Sequence, residues 1–262
     1  MIKCENMRSW DMKRIIIIGH RGLMDSFPEN TLLSFIEAIK AGADGIELDV
    51  WLTRDGKLVI SHDENLERVA GVNKSIKDME LREIKSIEIG EGLRIPTLEE
   101  VFETLPNDVL INVEIKDIDA VEKTLELIYR FNMGERIMIS SFHIDVLTEV
   151  RKRDDNLKLG LLVEDENVIP KIPSLSKSLR LYSVNLPIDA LKFFPIDTFK
   201  DFLEQMRKMN LKIVLWSSDD SIYFEDDNIL KLKKLVDVVI TNNIPMMRKY
   251  LFDSKNFNLL KS

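Results

Sequence analysis

A single cysteine, Cys4, in 262 residues leaves no partner for an intrachain disulfide and fits a reducing compartment. Long apolar runs are missing too: none approaches the roughly 18 residues that span a bilayer. Residues 1–13 hold too many charges for the apolar core of a secretory leader. The expectation is a cytoplasmic protein with no integral membrane segment. Positive charge is in deficit, with 37 Lys and Arg against 45 Asp and Glu and a net charge of −8. That deficit argues against a general nucleic-acid binder, whose affinity comes from neutralising phosphates. It leaves room for an anionic substrate, because a few local cations and a metal dominate a single cleft. The glycine-rich fingerprint of a dinucleotide site is also absent.

What is there is an ordinary globular balance, 45% apolar and 31% charged, in a chain long enough to bury a substantial core. Short apolar segments alternate with longer amphipathic ones. Strands are expected at residues 15–19, 45–52, 109–116, 137–140, 158–163, 183–186, 212–216 and 238–241. Helical periodicity is clearest at 31–41, 98–104, 119–131, 144–152, 198–209 and 228–235. Eight strands with intervening helices over about 250 residues predict one α/β domain, a parallel (β/α)8 TIM barrel. An open doubly wound sheet has the same periodicity but lacks its positive signal here. Residues 64–96 are too long for a simple loop and predict a lid or side insertion after the second strand. Residues 164–181 predict a loop with a short helix. Residues 1–13 show no periodicity and are expected to form a loosely docked extension.

The most informative window runs from His20 to Asp63. It holds two of the three histidines, His20 and His62, each followed by a charged residue at the end of an apolar run. Between them, Glu47 and Asp49 stand at i and i+2 of a predicted strand, so both point to one face while Ile46, Leu48 and Val50 point to the other. Two anions on one face of a buried strand are costly unless a cation joins them. The third strand repeats the logic, with Asn112, Glu114 and Lys116 on one face. Because helices cover the outside of a barrel, these polar faces must point inward, at the strand ends where barrel enzymes hold their sites. Three carboxylates, Glu47, Asp49 and Glu114, are hard oxygen donors that suit Mg²⁺ or Ca²⁺ better than Zn²⁺. Flanking histidines supply acid and base near neutral pH.

Taken as an ordered set, these motifs resemble the glycerophosphodiester phosphodiesterase family, whose members share a phospholipase-C-like barrel. The similarity includes His20-Arg21-Gly22, Pro28-Glu29-Asn30-Thr31, the run from Asp44 to Val50, Thr53-Arg54-Asp55-Gly56 and His62-Asp63. It continues through the run from Ile95 to Glu100, Glu114-Ile115-Lys116, Ser140-Ser141-Phe142 and the run from Val236 to Thr241. The resemblance implies metal-dependent hydrolysis of glycerophosphodiesters to sn-glycerol 3-phosphate and an alcohol. It implies Glu47, Asp49 and Glu114 as ligands of one divalent cation, and His20 and His62 as the acid/base pair. Arg21 and Lys116 would hold the phosphate, and Phe142 and Trp216 would line the pocket for the alcohol or glycerol. The chain departs from the family pattern after Trp216, where Ser217-Ser218-Asp219 follow, and after Thr241, where Asn242 stands.

Other readings compete. Lysophospholipase D action is the same chemistry on a lysolipid, and a broad exposed apolar rim on residues 64–96 would favour it. A Mg-dependent lyase of the enolase kind is more remote, because it wants ligands on three later successive strands. A barrel serving only to bind would not need both histidines and three carboxylates. His143 reads as a solvated or capping residue. Monomer and homo-oligomer are both compatible with the sequence.

Overall fold

The computed structural model describes residues 8–253. Among them are nine strands: β1 (Ile16–Gly19), β2 (Gly45–Leu52), β3 (Leu58–Ile60), β4 (Leu110–Ile115), β5 (Ile137–Ser141), β6 (Lys158–Leu162), β7 (Ser183–Pro187), β8 (Lys212–Trp216) and β9 (Val238–Thr241). Eight of these pair in parallel, in the order β1-β2-β4-β5-β6-β7-β8-β9, and β9 returns to β1 to close a barrel. Helices Leu32–Lys40, Leu98–Thr104, Val121–Arg130, Ile144–Arg153, Ile172–Ser178, Ile196–Lys208, Asn228–Leu232 and Ile244–Phe252 run between and after the strands. The TIM barrel expected from the alternating pattern is therefore the fold.

The pleat sorts the strand residues by face. Ile46, Leu48 and Val50 of β2 and Ile111, Val113 and Ile115 of β4 pack outward into the large core beneath the helices. Their alternates point into the barrel, which is divided along its axis. The N-terminal half is apolar, filled by Ile16, Ile18, Leu110, Met138, Val214, Val238 and Ile240. The C-terminal half is polar, with Glu47, Asp49, Asn112, Glu114, Ser140 and Asn185 all buried there. Stability and chemistry thus occupy opposite ends of one cylinder.

Three features differ from the pattern read in the sequence. β3 has no counterpart there, since three apolar residues are too few to carry a period. It pairs antiparallel with the end of β2, Val50 opposite Ile60 and Leu52 opposite Leu58, and so turns the chain back toward the barrel mouth. The helix Ile244–Phe252, with proline in its first turn, also lacks a clear period. The third concerns the start of the chain. Residues 1–7 lie outside the described ones, but Trp10 is not loosely docked: it is 1% exposed, its indole packed with the apolar barrel floor. Trp10 Nε1 donates to the Arg136 carbonyl at 3.0 Å, and the Tyr182 hydroxyl donates to the Trp10 carbonyl at 2.7 Å. The indole joins the strand residues that fill the barrel's N-terminal half.

Residues 64–96 make a side insertion with a small core of its own, in which Leu66, Ile76, Met79, Ile84 and Ile95 pack on Val59 of β3. Residues 164–181 form a 3-10 turn, Glu166–Lys171, followed by the short helix Ile172–Ser178, as expected. Among the described residues no helix is long and apolar enough to cross a membrane.

Candidate active site

The site is built from the C-terminal ends of β1, β2 and β4 and from the loops that follow them. Register places Asp49 beside Glu114 and Glu47 beside Asn112 on the neighbouring strand. One oxygen from each of Glu47, Asp49 and Glu114 lies within 4.8 Å of the others, and all three residues are buried. Lys116 Nζ spans two of them, 2.8 Å from Asp49 and 2.5 Å from Glu114. The Arg21 guanidinium lies 3.6 Å from Asp49, and the Asn30 side-chain amide donates to the same carboxylate at 2.9 Å. Glu47 is different: its bond is to the Arg21 backbone N–H at 3.1 Å, and among the described residues no side-chain cation forms a salt bridge with it.

The electrostatics follow from that asymmetry. Burial, then Asp49 and Glu114, push the Glu47 carboxyl well above the usual carboxylate range. Asp49 is also penalised by burial, but Lys116 and Arg21 outweigh this and bring it down to about 2. Burial raises Glu114 to about 7 even though Lys116 opposes the shift. A cluster whose members cannot all ionise with the protein's own cations is one that a divalent cation would complete. The donor set is all oxygen and rigidly held on two strands, so the residues present fit such an ion.

The loop after β1 owes its shape to backbone angles that side chains seldom adopt. Arg21 and Asn30 have φ of 50° and 56°. The Asn30 N–H donates to the Arg21 carbonyl at 3.0 Å, so each strained residue holds the other. Thr31 then caps the helix Leu32–Lys40, its hydroxyl accepting from the Ser34 N–H.

The two histidines stand in unlike surroundings. His20 is buried at the end of β1, with Nδ1 2.7 Å from Asn242 Oδ1. The Asn242 amide nitrogen donates to the Ser218 carbonyl, which leaves the side-chain oxygen facing the ring. Nδ1 of His20 is thus the donor and Nε2 carries the free lone pair. Burial, with Arg21 nearby, lowers the His20 pKa to about 4. His62, delivered by the β2–β3 hairpin, is half-exposed, and its Nδ1 meets the Asp63 carboxylate at 2.7 Å. Its pKa is lowered chiefly by burial, with Asp49 pulling the other way. Arg68, in the insertion, donates to Asp63 at 2.5 Å and to Glu29 at 2.7 Å, and Glu29 accepts from Arg21 at 3.0 Å. One ionic chain therefore joins His62, the insertion and the loop after β1.

Residues 20–246 match the model of the glycerophosphoryl diester phosphodiesterase family. A glycerophosphodiester phosphodiesterase of Caldanaerobacter subterraneus is 35% identical over 245 residues, covering 88% of this chain and 95% of that protein. The chain belongs to the glycerophosphoryl diester phosphodiesterase family. The crystal structure of a glycerophosphodiester phosphodiesterase from Thermotoga maritima is 35% identical, with a TM-score of 0.77 over 91% of this chain and 99% of that one. An Oleispira antarctica phosphodiesterase, solved with the product sn-glycerol-3-phosphate, shares the fold at 23% identity and a TM-score of 0.77, over 90% of this chain and 96% of that one.

Within this phosphodiesterase fold, six residues singled out in the sequence converge: His20, Arg21, Glu47, Asp49, Glu114 and Lys116. His62 joins them through the hairpin. Phe142 and Trp216, after β5 and at the end of β8, meet edge to face with ring centroids 6.0 Å apart on the other side of the mouth. Asn242, Asp63 and Arg68 have no role assigned from sequence. Asn242 follows β9 directly, a position that marks it as facing the mouth. Arg68 carries no such sign, since only the folded insertion brings it to Glu29, 39 positions away.

Proposed function

We propose that the protein hydrolyses glycerophosphodiesters to sn-glycerol 3-phosphate and an alcohol, using one divalent cation, Mg²⁺ or Ca²⁺, and the pair His20 and His62. The observation that carries this reading is the buried triad of Glu47, Asp49 and Glu114, within 4.8 Å of one another, with both histidines beside it. Those three carboxylates would hold the cation, which when bound supplies Lewis-acid stabilisation of charge on the phosphoryl oxygens. Arg21 and Lys116 face the same region and add fixed positive charge for the phosphate. His20 Nε2, kept neutral by burial, takes the proton from the attacking hydroxyl, whether of water or of the substrate's own glycerol. His62, whose Nδ1 leans on Asp63, gives a proton to the leaving alkoxide. Phe142 and Trp216 offer apolar faces to the glycerol or alcohol carbons. Ligands on two adjacent strands favour this reading over an enolase-like lyase. The cytoplasm suits such a chain with its lone cysteine.

The test is a panel of glycerophosphodiesters assayed for glycerol 3-phosphate release with and without a chelator. Chelation should abolish turnover, and added Mg²⁺ or Ca²⁺ should restore it. It should leave circular dichroism unchanged, because the apolar core is supplied elsewhere. Metal should raise the Tm of the wild type and not that of Glu47→Gln. Turnover at the full rate without metal would sink the reading.

A further inference from the structure

The connection from β8 to β9 is fastened to the end of β9 by its own side chains. Asp220 directly precedes the helix Ser221–Phe224, where an aspartate ordinarily caps the first turn. Here Asp219 accepts from the Ser221 N–H instead, at 2.9 Å, and the Asp220 side chain turns toward β9. Its Oδ2 accepts from the Asn242 N–H at 2.9 Å, from the Asn243 N–H at 3.1 Å and from the Thr241 hydroxyl. Its Oδ1 is buried with no hydrogen-bond partner among the described residues. An idle buried oxygen costs stability, so stability alone does not account for this arrangement. The buried Tyr223 hydroxyl adds a further tie, donating to the Ile240 carbonyl at 3.0 Å.

Two of the residues that Asp220 holds also meet His20. The His20 N–H donates to the Thr241 carbonyl at 2.9 Å, and Nδ1 of its ring faces Asn242 Oδ1 at 2.7 Å. The Asn242 amide nitrogen donates at 3.4 Å to the carbonyl of Ser218, two residues before Asp220. Backbone and side chain of Asn242 are thus both held by one loop. That loop is itself anchored: the Asp219 N–H donates to the Ser217 hydroxyl at 3.0 Å, and the hydroxyl donates to Asp189 at 2.8 Å. A free histidine side chain in water prefers its proton on Nε2. An amide oxygen fixed at Nδ1 reverses that preference and leaves the lone pair on Nε2.

We propose that Asp220 is a positioning residue for the reaction: by clamping Thr241, Asn242 and Asn243 it keeps His20 in the Nδ1–H tautomer, with Nε2 ready to take a proton. The proposal rests on the phosphodiesterase reading given above, which makes His20 the base. Asp220 acts through Asn242 and not on the ring itself. It adds no contact with substrate, so its loss falls on kcat and not on KM.

The test combines kinetics with the nitrogen NMR spectrum of the imidazoles, taken on the Mg²⁺-loaded protein at mildly alkaline pH, where histidines are neutral. Only three histidines contribute, and His20→Ala assigns the His20 signals. His20 should carry its proton on Nδ1 in the parent and shift toward Nε2–H in Asp220→Ala and in Asn242→Ala. Asp220→Ala should lower kcat on glycerophosphocholine roughly tenfold or more, with KM within about twofold of the parent. A nitrophenyl phosphodiester should show the same loss, because the base is needed whatever alcohol leaves. Asp220→Asn keeps an oxygen for the two N–H groups and should restore both spectrum and rate. The double variant should be no slower than Asn242→Ala alone, as for residues acting in series. If Asp220→Ala does not fold, Asp220→Glu, which displaces the oxygens by one methylene, carries the same expectation. An Nε2–H tautomer in the parent overturns the proposal outright. So does an unmoved His20 spectrum beside a lowered Tm, a rise in KM alone, or additive losses in the double variant; each leaves the phosphodiesterase reading standing. A shifted tautomer in a protein that cleaves no phosphodiester upholds the clamp on His20 and removes the catalytic reading.

Discussion

At the scale of single residues, the division of labour between the histidines is set by what each Nδ1 touches. A neutral amide, Asn242, faces His20, and a carboxylate, Asp63, faces His62. An amide oxygen fixes the imidazole tautomer and supports a positive charge on the ring less than a carboxylate does. His20 is thereby suited to accept a proton and His62 to donate one. His20→Ala and His62→Ala should each lower kcat by roughly 10²–10⁴-fold without loss of fold. A nitrophenyl phosphodiester, whose leaving group needs no proton, should restore much of the rate to His62→Ala and little to His20→Ala. Rescue of the His20 variant instead would reverse the assignment, and rescue of neither would leave the pair without its proposed roles. The carboxylate cluster was legible in the sequence because Glu47 and Asp49, two apart in an otherwise apolar strand, must share a buried face that only a cation makes tolerable. The partners of the histidines were not, since Asn242 lies 222 positions from His20 and nothing local ties them.

At the scale of elements, the site depends on two turns. The β2–β3 hairpin returns His62 toward Asp49, and the loop after β1 packs against the helix Leu32–Lys40 through Gly22. Gly22 has φ of 92°, and a Cβ there would lie 2.3 Å from Ser34 Oγ and 2.7 Å from the Ser34 carbonyl carbon. Gly22→Ala should therefore cost about 1–3 kcal/mol. It should also lower kcat/KM at least tenfold, because the Arg21 N–H that meets Glu47 moves with it. Gly56→Ala is the control: its φ of 72° is equally unfavourable, but nothing lies within 4 Å. That variant should lose about 1 kcal/mol and keep its kcat/KM. Equal losses of activity in both would show that loop strain, not helix contact, sets the site. The parallel strands were legible because each is buried on both faces and bounded by helical periods. β3 and the small helices were not, since their form comes from the surfaces they land on.

At the scale of the whole molecule, the barrel keeps its apolar floor and its reactive mouth apart, and Trp10 belongs to the floor. Its indole is buried among Ile16, Leu110, Met138 and Val238 and hydrogen-bonded to residues of the β4–β5 and β6–β7 connections. Nothing in the sequence signals this, because a lone aromatic in an aperiodic segment has no period to read. Removing a buried Trp costs about 3–5 kcal/mol when its cavity cannot collapse, and a ring of β-strands is poorly placed to collapse. Trp10→Ala should therefore shift the denaturation midpoint strongly downward at an unchanged m-value. Deletion of residues 1–11 should do the same. Both variants, assayed well below their new midpoints with metal present, should keep kcat/KM within about twofold of the parent, since the floor lies at the far end of the barrel from Glu47, Asp49 and Glu114. An unchanged midpoint would mean that residues 8–13 are dispensable after all. A lowered midpoint together with lost activity would mean that the two halves of the barrel are coupled, and that the packing of the floor holds the register of the carboxylates.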